Sequence, residues 1–122
     1  MKQAMWISLG AILGVNARYL ISNIVAKAAS SPFPYHTLLI NLSGSAALGF
    51  FLSWSTSRVT IDPSWRLLFT VGFCGTYTTF STFAYESMAL LQGGDVVRFA
   101  ANVLGTNALC LLAVALGARL GR

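Results

Sequence analysis

One apolar stretch of the sequence is unusually rich in hydroxyl groups. Residues 72–83 read Gly-Phe-Cys-Gly-Thr-Tyr-Thr-Thr-Phe-Ser-Thr-Phe, so that five serine or threonine residues lie among four aromatic residues. Uncharged hydroxyls can donate the hydrogen bonds that replace the hydration shell of a small anion, whereas a fixed positive charge could trap that anion. The stretch therefore indicates a polar, uncharged, aromatic-lined path for something small.

The spacing of two phenylalanines within this stretch supports the same interpretation. Phe80 and Phe83 are three residues apart and share one face of a helix. The edge of an aromatic ring carries partial positive charge, so two edges directed into a narrow path attract an anion. Ser81 and Thr82 supply hydroxyl donors beside them. The alternative is two phenylalanines that pack or face lipid.

The same stretch predicts a break in a helix. Glycine costs about 1 kcal/mol in a helix relative to alanine, and β-branched threonine is also a poor helix former. A break inside a membrane frees backbone carbonyls, which must be satisfied by protein, water or an ion. Such carbonyls are hard oxygen ligands that suit a cation.

Polar residues also recur at helical spacing in two other apolar runs: Thr37, Asn41 and Ser45 in one, and Asn102, Thr106 and Cys110 in the other. Asn41 is the most demanding of these, because a buried amide has two donor hydrogens and an acceptor to satisfy. Each stripe is consistent either with hydrogen bonding between helices or with the lining of a pore.

Two charged residues fall where lipid is expected. Arg18 lies within the first apolar run, and Glu86 follows Phe83 by three residues. We predict that they flank vestibules of the path, on opposite sides or shared, or that they pair with each other. The alternative is an arginine that reaches the interface through its long side chain and a glutamate close to the membrane surface.

The composition requires a lipid-facing surface. Among 122 residues, 56% are hydrophobic and 9% are charged, and the mean hydropathy is +0.70. A soluble domain has about 25% charged residues. The net charge of +5 comes from basic residues scattered singly, with no basic patch for nucleic acid. A very apolar soluble subunit buried in a complex is the alternative, but the apolar runs have the length of membrane spans.

The predicted fold is an all-α membrane protein, a single membrane domain over residues 1–122. We expect four transmembrane helices at about 5–25, 37–54, 65–91 and 96–120, with the break in the third. Asn16 and Arg18 interrupt the first run, so we expect it to be a retained helix and not a cleaved signal peptide. Small residues four apart, such as Gly10 and Gly14, predict close helix packing.

The number of spans and the distribution of charge bear on topology. Four spans place both termini on one side, together with Lys2, Arg58, Arg66, Arg119 and Arg122, while Lys27, Arg98 and Arg18 lie towards the other. Five basic residues on one side and three on the other give only a weak bias under the positive-inside rule, so we expect insertion in both orientations. Four short helices enclose little interior, which favours an oligomer.

Enzymatic activity is not expected. His36 is the single histidine, Cys74 and Cys110 lie in apolar segments, and the sequence has no catalytic triad pattern, metal-ligand cluster or phosphate-binding glycine loop.

The motifs resemble those of the bacterial fluoride channels of the CrcB/Fluc family. The match extends over essentially the whole chain, and its most specific part is Thr78-Thr79-Phe80-Ser81-Thr82-Phe83, within a run similar to the family's G-F-x-G-G-x-T-T-F-S-T-F. Residues 10–19 resemble the first-helix pattern. Residues 37–44 resemble the T-x-x-x-N-x-x-G pattern of the second helix.

The resemblance implies an antiparallel, dual-topology homodimer with two pores in the inner membrane, which exports toxic fluoride passively. It implies that Phe80 and Phe83 are the paired pore phenylalanines and that Asn41 is the pore asparagine. The hydroxyl track would comprise Ser81, Thr82 and Thr106. It also implies a structural Na⁺ at the dimer interface, held by the backbone carbonyls of Gly75 and Thr78.

Two rival functions remain open on the sequence. A small multidrug transporter has the same size and four-helix plan, but it needs a membrane carboxylate on its first helix, and the sequence has no acidic residue before Asp62. A non-transporting assembly subunit is the other possibility, and it assigns no role to the hydroxyl-rich stretch.

Overall fold

The computed structural model describes residues 1–57 and 61–122, which form helices joined by short connections. The helices are α1 (Lys2–Ala28), α2 (Tyr35–Ser57), α3 (Pro63–Arg66), α4 (Gly75–Tyr77), α5 (Phe80–Gln92) and α6 (Val96–Leu120). A wider π-helical stretch, Leu67–Cys74, connects α3 to α4. Three of these helices, α1, α2 and α6, are long and apolar enough to cross a bilayer. The all-helical, multi-pass prediction is therefore confirmed.

Residues 63–92 differ from the three long helices because they consist of several pieces, and we call them the third segment. Asp62 caps the first piece, since its carboxylate accepts from the Ser64 N–H, which also lowers the pKa of this exposed side chain. Helix α4 ends at Tyr77. The next two residues, Thr78 and Thr79, are extended, and α5 begins at Phe80. The chain then turns at Gly94, whose φ of +79° is one that glycine readily adopts.

Contacts at both ends show that the third segment runs the length of the bundle. At the end that holds the amino terminus, the rings of Trp6 and Trp65 lie 5.4 Å apart, and Arg66 donates to the Thr56 hydroxyl (2.9 Å). At the opposite end, His36 contacts Glu86. Arg58, predicted to lie with the other basic residues of the first end, falls outside the described residues.

Glycines allow α1 to pack directly on the backbone of the third segment. A methyl group at Gly10 would collide with the Leu68 carbonyl, and one at Gly14 would collide with the Phe73 carbonyl. On the third segment, a methyl group at Gly72 would collide with the carbonyl of Ile7 in α1. Close backbone approach is how small residues stabilise helix pairs in lipid, where the hydrophobic effect does not drive association.

The pair formed by α2 and α6 packs by the same means. Gly49 lies against the carbonyl of Val114, Gly117 against that of Ala46, and Gly121 against that of Phe50. The small-residue motifs of the sequence therefore serve packing within one chain. By contrast, a methyl added at Gly105 would meet no atom within 4 Å.

The extended residue Thr79 is held by a side chain of α2. The Thr79 N–H donates to Asn41 Oδ1 (2.8 Å), and Asn41 Nδ2 donates back to the Thr79 carbonyl (3.1 Å). Thr79 also caps α5, because its hydroxyl accepts from the Thr82 N–H (3.3 Å). The amide of Asn41 thus takes the place of the backbone partners that a continuous helix would supply.

We predict that Gly49→Ala destabilises the chain by about 1–3 kcal/mol, because the added methyl would force α2 away from the α6 backbone. Gly105→Ala is the matched control, since the same methyl would enter open space. Thermal unfolding of both purified variants in detergent measures the difference. Equal midpoints for Gly49→Ala and the wild type would contradict the packing described for α2 and α6.

We predict that Asn41→Leu costs about 2–4 kcal/mol, because it leaves the N–H and carbonyl of Thr79 without partners. Asn16→Leu makes the same chemical change on an exposed face of α1, where the amide bonds only its own helix (2.7 Å to the Ile12 carbonyl). Hydrogen–deuterium exchange at Thr79 should accelerate in the first variant and not in the second. Unchanged exchange in Asn41→Leu would refute the proposed role of this amide.

Candidate functional site

A groove of about 320 Å³ runs beside the extended residues, between α2, the third segment and α6. In the described part of the chain no charged side chain lines it, and its lining includes Asn41, Thr78, Phe80, Phe83 and Thr106. Such a lining offers aromatic edges and an amide, which can contact an anion without binding it irreversibly, while the hydroxyls of Thr78 and Thr106 donate within the protein. The groove is therefore a space lined by polar and aromatic side chains.

The two predicted phenylalanines are in contact but differ in exposure. Their ring centroids lie 5.7 Å apart with planes tilted by 49°. Phe83 is 7% exposed, whereas Phe80 is 76% exposed. One ring is thus fixed in the wall of the groove, and the other projects from the surface of the chain.

A line of buried hydrogen bonds connects α6 to α5 behind Phe83. The Thr106 hydroxyl donates to Asn102 (3.2 Å), whose amide donates to the Ser87 hydroxyl (3.0 Å). Ser87 in turn donates to the carbonyl of Phe83 (2.7 Å). Because Asn102 is 1% exposed, these bonds are shielded from competing water. They fix the position of Phe83, and they use the donor hydrogen of Thr106.

A second cavity, of about 300 Å³, lies between α1, α2 and the start of α5. Arg18 lines it together with His36, Thr37 and Thr82. Arg18 Nη1 lies 3.5 Å from the Thr78 carbonyl, at the limit of a hydrogen bond. The buried Oγ1 of Thr37 has no hydrogen-bond partner among the described residues. We call this space the Arg18 cavity.

A third cavity, of about 370 Å³, lies at the end opposite the amino terminus. Glu86 and Tyr85 contribute to it from α5, and His36 from α2. His36 Nε2 lies 2.9 Å from Glu86 Oε1, while the buried Glu86 Oε2 has no partner in the described part of the chain. The pairing of Arg18 with Glu86, one of the predicted alternatives, is not formed, because Glu86 contacts His36 and Arg18 contacts Thr78.

The backbone at the interruption leaves the carbonyl of Gly75 without its usual helical partner. The N–H of Thr78 donates to Cys74 (3.1 Å) and that of Thr79 to Asn41, so neither reaches the carbonyl of Gly75. Gly75 lies on an exposed part of the third segment and lines the groove together with Thr78. A two-carbonyl cation site is compatible with this donor set.

The structure divides the sequence-predicted residues among these spaces. The groove receives Asn41, Gly75, Thr78, Phe80, Phe83 and Thr106. Arg18 and Thr82 line the Arg18 cavity, Glu86 lines the third cavity, and Ser81 is exposed on α5. Sequence analysis gave no role to Ser87, although its position four residues after Phe83 places it one helical turn away, nor to His36.

Comparison with known proteins agrees with these motifs. Residues 5–118 match the family model described as "CrcB-like protein, Camphor Resistance (CrcB)". The chain is 54% identical to the "Fluoride-specific ion channel FluC" of Koribacter versatilis, over 93% of this chain and 90% of that protein. It is 45% identical to the protein of the same name from Paramagnetospirillum magneticum (91% and 88% covered). For the one from Aquifex aeolicus, the identity is 38% (94% and 93% covered).

The family match covers nearly the whole chain, and these relatives are covered over most of their own length. Together with the all-helical bundle and the hydroxyl-rich third segment, this shows that the chain belongs to the CrcB family of membrane proteins.

Proposed function

We propose that this protein is a fluoride-selective channel and not an enzyme, and that it exports fluoride passively across the inner membrane. The observation that carries the proposal is the uncharged groove beside Thr78 and Thr79, in a chain whose relatives are named fluoride-specific ion channels. Fluoride enters cells as neutral HF at acid pH and ionises in the cytoplasm. The negative interior potential then drives the anion out without any other energy source.

The groove can replace the water around fluoride in stages. The ring edges of Phe80 and Phe83 supply positive electrostatic potential, and Asn41 keeps one amide hydrogen beyond the one that it donates to Thr79. Outside the groove, Thr82 in the Arg18 cavity and the exposed Ser81 would add hydroxyls at the start of α5. Among the described residues no charged side chain lines the groove, so the anion meets no lysine or arginine there, and rapid passage requires binding that is weak enough to reverse.

We propose that the working unit is an antiparallel homodimer with both orientations in one membrane. A single chain leaves Phe80 76% exposed beside an open groove, which a second copy would cover and complete. The weak charge bias between the two ends is consistent with insertion in both directions. A two-fold axis in the membrane plane would then give two equivalent pores.

A structural Na⁺ fits the same arrangement. Each copy offers the carbonyls of Gly75 and Thr78, and two copies would provide four oxygens to one alkali cation. Thr78 also accepts from Arg18 at 3.5 Å, so that guanidinium and the ion would share one carbonyl. The ion would supply a fixed positive charge between the subunits and neutralise backbone dipoles exposed by the interruption.

Fluoride efflux from liposomes that hold the purified protein tests the channel. We expect rapid fluoride loss with little chloride loss, and we expect Phe80→Ile to slow it about tenfold, because an aliphatic side chain has no positive ring edge. Phe50→Ile is the control, since Phe50 is a partly exposed phenylalanine of α2 outside the groove. The absence of fluoride flux from folded protein would overturn the assignment.

The dimer proposal has an independent test. Cross-linking in native membranes should trap a species of twice the chain mass. A protease-cleavable tag after Arg122 should be cut in about half of the molecules from either face of sealed vesicles, because opposite orientations are equally populated in such a dimer. Cleavage from one face alone would refute dual topology and leave the channel proposal standing.

A further inference from the structure

The single histidine of the chain contacts the one acidic residue that lies within a helix and not at a helix cap. The chain has three acidic residues, and Asp62 and Asp95 cap the starts of α3 and α6. Glu86 instead lies in the second turn of α5, one turn beyond Phe83, with its side chain 18% exposed. His36 Nε2 lies 2.9 Å from Glu86 Oε1 and is the described ion-pairing partner of this carboxylate.

The position of His36 places it between two cavities. It lines the Arg18 cavity on one side and the cavity of Glu86 on the other. These cavities flank the start of α5, which carries the phenylalanines of the groove. Thr79 lines both the Arg18 cavity and the groove, so an anion that approaches the groove through the Arg18 cavity passes within the field of the His36–Glu86 pair.

The carboxylate of Glu86 is an obstacle to such an anion. Its Oε2 is buried without a partner in the described structure, and Arg18 contacts the Thr78 carbonyl instead of Glu86. We propose, on the basis of the proposed fluoride channel, that His36 is a positioning residue. It sets the net charge at the mouth of the path, which is the entrance to the groove beside the Arg18 cavity and the cavity of Glu86. Its protonation neutralises Glu86 and increases the rate at which fluoride reaches the groove.

The sign follows from the groups that face His36. Arg18 and Tyr19 face it from α1, Tyr35 lies beside it on α2, and Tyr85 and Glu86 face it from α5. Arginine remains charged and tyrosine neutral between about pH 6 and pH 8, whereas a histidine side chain titrates in that interval. With neutral His36 the charges of Arg18 and Glu86 sum to zero, and with protonated His36 the sum is +1, which attracts an anion.

The test is the pH profile of fluoride efflux from liposomes, with equal pH on both sides and with the flux of protein-free vesicles subtracted to remove HF leakage. We expect the wild-type rate to rise about fivefold from about pH 8 to about pH 6, the size expected for one added charge at the mouth of a hydrated cavity. His36→Gln should remain at the slow rate throughout. Lys27→Gln, which removes an exposed charge outside both cavities at the same end, should keep the rise.

A second variant keeps the inference testable if His36→Gln does not fold. Glu86→Gln removes the obstacle itself and should raise the rate at about pH 8 to the wild-type rate at about pH 6. Three results would each overturn the role of His36: an increase in the efflux rate towards about pH 6 that persists unchanged in His36→Gln, a wild-type rate that does not change with pH, or a slow rate in Glu86→Gln. Fluoride flux would still support the channel in each case. Absence of wild-type flux at every pH would overturn both.

Discussion

The structure depends on how the hydrogen bonds of two peptide units that lack helical partners are satisfied within a membrane. Thr78 and Thr79 are extended inside an otherwise helical bundle, where an unpaired backbone group is costly. The amide of Asn41 satisfies both the N–H and the carbonyl of Thr79 at once. One side chain of α2 therefore permits the departure from helix, and the groove, the cap of α5 and the exposed ring of Phe80 all follow from that departure.

The rest of the bundle provides a firm frame for this irregular segment. Glycine contacts bring α1 against the backbone of residues 67–74 and bring α2 against α6. The bonds from Thr106 through Asn102 and Ser87 then hold α5 to α6 beside the groove. Polar side chains within the bundle thus hydrogen-bond mainly to one another or to backbone carbonyls.

The sequence predicted the helices well because the bilayer sets the length and the hydropathy of a helix that crosses its hydrocarbon core. It also pointed to Asn41, since an amide is unusual in an apolar run, and to Phe80 and Phe83, since they share one helix face beside hydroxyl residues. It could not show that the Asn41 amide is shared with the backbone of Thr79, because that depends on how α2 is placed against a segment 38 residues away. The His36–Glu86 contact was missed for the same reason: neither residue has a partner within its own helix, so spacing carries no signal.

The lengths of the helices have a consequence for the surrounding lipid. α1 contains 27 residues and extends about 40 Å, while the hydrocarbon core of a bilayer is about 30 Å thick. The helix must tilt, extend its ends into the headgroup layer or thicken the bilayer around it. Trp6 and Trp65, in contact at one end, are side chains that prefer the headgroup level. Bilayer thickness is therefore mechanically coupled to the tilt of α1, and through its glycine contacts to the shape of the groove.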